Sequence, residues 1–194
     1  MNLPAFLVYC AVMAVTPGPN NLMSLYLGAA GGRRDFWRFF SGSMSGLSVK
    51  CVLCGLLNVL LAERIPGVVP YLKWLGALYM LYLALGMVRS GLKNAEQSEV
   101  SGRGTFQSGI LLQVLNVKSW VAALSIFSVY IIPFTTAAGA ILLAAAAFTG
   151  FCGIASLLWW GCGTVMQGLY RRYRLPVSIA LALTLVLCAW SAVK

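Results

Sequence analysis

Apolar runs alternate along the chain with short stretches that hold nearly all of its charged residues. The first run, Leu3 to Leu27, carries no charge and is long enough as a helix to cross a hydrocarbon core of roughly 30 Å. Five more follow, from about Phe39 to Ala62, Tyr71 to Val88, Phe106 to Ile132, Ala137 to Trp160 and Leu175 to Val193. Between them lie a glycine-rich turn from Gly28 to Arg38, a loop with Glu63, Arg64, Pro66, Gly67 and Pro70, and a polar link from Arg89 to Thr105. A turn around Pro133 and a basic loop from Gly161 to Arg174 complete the series. The pattern predicts an all-α membrane protein with six transmembrane helices.

Two of the runs are interrupted near the middle. In the first, Val15-Thr16-Pro17-Gly18-Pro19-Asn20-Asn21 sets two helix breakers and two amides where the bilayer is driest. Each proline removes a backbone donor and clashes with the preceding turn, while Gly18 relaxes the backbone between them. In the fourth, the polar residues Gln113, Asn116, Lys118 and Ser119 interrupt the apolar pattern. Opened backbone at membrane depth is tolerated only where protein buries it or it lines a wet cavity. Pro17 and Pro19 are therefore candidates for a site, or else for a packing kink.

Three spans, a polar link and three spans divide the chain into residues 1–90, a linker 91–105 and residues 106–194. An odd number of spans per half turns the second half upside down relative to the first. The interruptions fall in the first span of each half, the arrangement that marks a site between inverted repeats. Gly42 and Gly46 form a small-xxx-small pair that suits a homodimer or a contact within the chain.

Composition agrees: 60% of residues are apolar and 9% charged, and 194 residues leave no room for a soluble domain beside six spans. The N-terminus lacks a basic leader region and is expected to stay as a span. The net charge of +10 is spread over short loops, which points to lipid headgroups and topology rather than nucleic acid. Arg33, Arg34, Arg38, Arg89, Lys93, Arg103, Arg171, Arg172 and Arg174 fall on one side, against Arg64, Lys73 and Lys194 on the other. The positive-inside rule puts the first group in the cytoplasm, with that linker, and both termini outside.

Histidine is absent, and Cys10, Cys51, Cys54, Cys152, Cys162 and Cys188 sit in or beside apolar runs, where free thiols act as small hydrophobes. No metal site is expected, since the Cys51/Cys54 pair has no second pair at suitable spacing. The carboxylates Asp35, Glu63, Glu96 and Glu99 lie in loops or at a span edge, so a relay through buried acids is not expected.

Thr16-Pro17-Gly18-Pro19-Asn20 inside a six-span chain resembles the signature of the lysine exporter and homoserine/threonine exporter superfamily of bacterial amino-acid efflux proteins. Lys73, Gly76-Ala77 and Tyr79 are similar to a second stretch of that family, and Leu115-Asn116-Val117-Lys118 to its fourth-span motif, which usually has proline where Val117 stands. The Asn-Val-Lys form, with Ala123-Leu124-Ser125 and Pro133, resembles the cysteine and O-acetylserine exporter branch. Lys50 departs from the family, where an apolar residue is expected.

The resemblance implies an exporter of small neutral amino acids in the bacterial inner membrane, needing no cofactor. Such a carrier has to replace water around both charges of a zwitterion. The half-helix starting at Asn20 offers backbone N–H groups and a positive dipole end to the carboxylate, and Lys118 a full charge. The ammonium is expected to meet carbonyls freed around Val15 to Pro17, or amide oxygens of Asn20, Asn21 or Asn116. Asn20 and Asn116 serve equally well as hydrogen bonds between helices, and Lys118 and Lys50 could instead snorkel to a surface. If a proton gradient drives export, Lys118 and Lys50 are the titratable candidates.

Other classes fit less well. ATP hydrolysis lacks its Gly-x-x-x-x-Gly-Lys-Ser/Thr loop, and a membrane enzyme lacks a buried acid or histidine to act as base. A membrane thiol-disulfide electron carrier would want cysteines in both interrupted spans, and the fourth has none. A channel remains open, and uphill accumulation would exclude it.

Overall fold

A computed structural model describes residues 2–92 and 104–193. Its helices are α1 (Leu3–Val15), α2 (Pro19–Ala29), α3 (Arg33–Leu56), α4 (Asn58–Leu92), α5 (Phe106–Leu115), α6 (Val117–Ser125), α7 (Ala138–Val165), α8 (Gln167–Arg172) and α9 (Arg174–Val193). A π-helical stretch, Ile126–Ile131, continues α6. Among the described residues α3, α7 and Arg174–Ser191 of α9 are long and apolar enough to cross a membrane. The pairs α1/α2 and α5/α6 pass the same test as broken spans, bent by 51° and 64°. A shorter apolar stretch of α4, Trp74–Arg89, overlaps the expected third span and ends one residue beyond it.

The breaks follow from local chemistry. Pro17 pushes Thr16 into extended backbone, φ −53° and ψ 134°, which ends α1. Gly18 is extended and Pro19 takes the first helical position of α2, where its missing N–H costs nothing. The second break needs no proline. Asn116, at φ −80° and ψ 92°, ends α5 and caps α6 by accepting the Ser119 N–H at 3.4 Å. Thr105 opens α5 with a capping box closed by Ser108.

Two expected loops are shorter than the sequence suggested. Gly31, at φ +78°, turns the chain within a few residues, and α3 already starts at Arg33. Arg33, Arg34 and Arg38 are thus helical, and Asp35 occupies the first turn, where a helix favours negative charge. Asp35 is also buried, beneath the backbone at Gly104. After a break at Leu57, α4 runs on through the stretch assigned to a loop, Pro66 and Pro70 included. A proline deletes one hydrogen bond and bends a helix without always ending it. The linker residues Lys93, Glu96, Glu99 and Arg103 lie outside the described residues, as do the side chains of Glu63, Arg64 and Lys73.

Packing is tightest at the arginine-bearing ends of the helices. A Cβ on Gly28 of α2 would run into the Trp160 backbone oxygen of α7, and one on Gly163 into that of Leu25. Gly42 of α3 and Gly109 of α5 meet the backbone of Phe106 and Phe39 in the same way. Gly46 lies over Ile110 and Gln113, so both glycines of the small-xxx-small pair serve contacts within the chain. One apolar core, with Leu22, Tyr26, Phe36, Phe39, Met87 and Leu185, fills this end, and a second, with Phe6, Cys10, Leu47, Cys54, Phe127 and Phe148, fills the other.

Candidate functional site

The two breaks lie side by side, and each exposes main-chain carbonyls that no helix can use. At membrane depth such groups must be paired. At the first break Asn21 Nδ2 donates to Ala14 O at 2.8 Å and to Thr16 O at 3.1 Å, and Trp159 Nε1 donates to Val15 O at 3.2 Å. Lys118 Nζ crosses from the second break and donates to Thr16 O at 2.7 Å. At the second break Trp120 Nε1 donates to Val114 O at 2.8 Å, and Ser119 Oγ to Asn116 O at 2.8 Å. Lys50 Nζ donates to Gln113 O and, at 2.5 Å, to Ser119 Oγ, and it stands 4.8 Å from the Trp120 ring centroid. Each break is therefore closed by one lysine and one indole.

A run of side-chain hydrogen bonds ties the breaks through α3. Ser43 Oγ donates to Asn20 Oδ1 at 2.5 Å and accepts from Gln113 Nε2 at 2.9 Å. Ser24 Oγ donates to Asn20 O at 3.0 Å and contacts Ser156 Oγ at 2.7 Å. Lys50 is 3% exposed and Gln113 2% exposed, so this network is out of reach of bulk water.

Two cavities flank the breaks. The larger, of about 390 Å³, lies on the α4 and α9 side, against Pro17, Gly18, Pro19, Gly76, Met80, Leu115, Asn116, Lys118, Cys188 and Ser191. The smaller, of about 40 Å³, lies on the α3 and α7 side, against Asn20, Asn21, Gln113, Asn116, Lys118, Ser119 and Cys152. Met13, Gly18, Asn116 and Lys118 line both and form the partition. Gly18 lies directly against the lysine: a Cβ there would sit in van der Waals contact with Lys118, 3.4 Å from its Cδ.

Of the residues singled out in the sequence, Pro17, Gly18, Pro19, Asn20, Asn21, Asn116 and Lys118 all reach one cavity or the other. Thr16 is exposed and joins only through its backbone oxygen, its hydroxyl being bonded to Val12 O. Lys50 lines neither cavity. The carbonyls of Ala14, Val15 and Thr16 are taken by Asn21, Trp159 and Lys118, while Asn20 Oδ1 and Asn116 Oδ1 accept from Ser43 and Ser119. Each of these oxygens thus already accepts at least one hydrogen bond. Ser43, Gln113, Trp159, Met80 and Cys188 were not foreseen here, because their neighbours come from distant parts of the chain. Gln113 alone carried a signal, as a polar residue inside an apolar run.

Among the described residues no three histidine, cysteine or acidic side chains converge as a metal site. The six cysteines are free thiols, with Cys10, Cys51 and Cys54 fully buried.

Comparison with known proteins agrees with this architecture. The chain is similar to the cysteine/O-acetylserine efflux proteins of Escherichia coli (strain K12), Shigella flexneri and Shigella sonnei (strain Ss046). It is 30% identical to each over 187 residues, which is 96% of this chain and 95% of theirs. No solved structure matches the chain. The model of the LysE type translocators matches residues 11–190, a range that includes both breaks, and the chain belongs to that family.

Proposed function

We propose that this protein exports small neutral amino acids or their derivatives, cysteine and O-acetylserine foremost, as a secondary transporter of the bacterial inner membrane. The observation that carries this reading is the pair of broken helices joined by Lys118 between two cavities. Discontinuous helices that present half-helix ends to a central cavity are the common way to bind a small zwitterion within a bilayer. The names of the relatives supply the substrate class, which fits a cavity of about 390 Å³.

In this proposal the chain spans the membrane six times, α1/α2 and α5/α6 each counting once, and the halves 1–90 and 106–194 are inverted repeats. The arginine-bearing ends face the cytoplasm and both termini the periplasm. Transport proceeds by alternating access and is driven by proton antiport. Lys118, on the partition between the cavities, is the coupling candidate ahead of Lys50, which is walled off behind Gln113. The substrate carboxylate meets Lys118 and the free N–H groups at the start of α2.

Exchange in proteoliposomes tests the reading. Vesicles loaded with single unlabelled amino acids are expected to take up labelled cysteine or O-acetylserine only when the load is small, polar and neutral, and faster under an imposed pH gradient. Exchange of basic or bulky amino acids instead would overturn the substrate class, and no exchange of any amino acid the function.

A further inference from the structure

We infer that Gln113 is the acceptor of the substrate's amino group and that the smaller cavity is the seat of that group. The inference rests on the reading of the chain as an amino-acid exporter and adds to it a recognition residue and a subsite.

Within the hydrogen-bond network the Gln113 amide turns its NH₂ toward Ser43. Ser43 has a single hydroxyl proton, and it is given to Asn20 Oδ1 at 2.5 Å. Toward Gln113 the same oxygen can only accept, so the group 2.9 Å away is the amide NH₂. Gln113 Oε1 is thereby left as a buried acceptor without a hydrogen-bond partner. A buried acceptor left unpaired is costly, and folded chains keep few of them without a use. Gln113 lines the smaller cavity, which is roomier than the ~10–15 Å³ one water needs and far too small for a whole amino acid. A donor group about the size of a water molecule therefore fits.

The surroundings select an ammonium. The carbonyls of Val15 and Thr16 and the amide oxygens of Asn20 and Asn116 each already accept a hydrogen bond, whereas Gln113 Oε1 accepts none. Lys118 stands on the partition, so a carboxylate drawn to it leaves the neighbouring α-ammonium directed into the smaller cavity while the side chain stays in the larger one. Lys50 does not compete for Oε1, since it binds the backbone oxygen of Gln113 and Ser119 Oγ. The positive charge brought in with the ammonium is balanced by the carboxylate that arrives with it.

The test compares cysteine with 3-mercaptopropionate, the same molecule without its amino group, as competitors of labelled cysteine exchange by the full chain in reduced proteoliposomes. Wild type is expected to prefer cysteine. In Gln113→Leu the apparent affinity for cysteine is expected to fall about ten- to a hundredfold, as for a lost bond to a charged group, with 3-mercaptopropionate unchanged. Gln113→Glu, which keeps an acceptor, should retain the preference. A Gln113→Leu protein that still prefers cysteine as strongly as wild type overturns the inference and leaves Oε1 to a water molecule. A wild type that exchanges no amino acid overturns the exporter reading itself. Should Gln113→Leu fail to insert, Gln113→Met, which is closer in shape and removes the amide oxygen, reads the same ratio: a narrowed preference supports the inference and an unchanged one overturns it.

Discussion

Lys118 Nζ donates to the backbone oxygen of Thr16 at 2.7 Å, joining residues 102 positions apart across the two helix breaks. A carrier that changes which side its cavity faces has to move its broken helices relative to one another, and this bond spans them. It also places a cation on the partition between the cavities. Lys118→Gln keeps a donor of similar reach but no charge. It is expected to lower exchange about ten- to a hundredfold, the worth of a charge-assisted bond. The residual exchange should no longer respond to a pH gradient across proteoliposomes. Full retention of that response would remove Lys118 from the coupling role.

Lys50 makes the opposite case. It is more deeply buried than Lys118 yet lines neither cavity, and its partners are the backbone of the second break and Ser119. Its hydrogen bonds close that break, as that of Lys118 reaches the first. Lys50→Met keeps an unbranched apolar stem without the ammonium and should cost about 1–3 kcal/mol of stability, leaving Gln113 O short of a donor. The thermal midpoint in detergent is expected to drop while the KM for exchange stays near that of wild type. A raised KM with unchanged stability would show that Lys50 belongs to the substrate path.

The breaks were legible in the sequence because their cause is local. Pro17, Gly18 and Pro19 forbid continuous helix whatever surrounds them, and Asn116 is a strong cap inside an apolar run. Helix ends governed by weaker signals were read less well. Gly31 could have ended its turn at several places, and α3 starts at Arg33, where Asp35 falls in its first turn. The prolines of α4 pointed to a loop that the backbone does not form. The pairing of the freed carbonyls was not legible at all. Trp159 reaches Val15, and Lys50 reaches Gln113, across more than 60 positions, and no local pattern says which residue meets which.

The glycine seams between α2 and α7 and between α3 and α5 make a graded prediction. A methyl group on Gly163 would strike backbone of α2, which cannot rotate away, whereas one on Gly150 of the same helix meets nothing within 4 Å. Gly150→Ala should be neutral or stabilise by up to about 1 kcal/mol through helix propensity. Gly163→Ala should destabilise by about 1–3 kcal/mol, because the helices must separate. Thermal unfolding of the two variants in the same detergent reads the difference, and equal midpoints would mean that the seam is not held by close packing.

Cys188 offers a reporter that needs no transport assay. It lines the larger cavity from α9 and is only partly buried, while Cys10, Cys51 and Cys54 are fully enclosed in apolar packing. Reaction with a water-soluble thiosulfonate requires thiolate and water together, so in a variant with Cys162 replaced Cys188 should be modified first. Saturating cysteine would itself react with the reagent, so a thiol-free neutral amino acid such as serine is the better ligand for protection. If the larger cavity holds the substrate side chain, serine at saturation should slow modification of Cys188 severalfold, and the same concentration of acetate should not. Equal slowing by both would mean that the cavity responds to the carboxylate alone. No slowing by either would place the substrate elsewhere than between α4 and α9, because a ligand seated against Met80 and Leu115 has to cover the thiol that shares their wall.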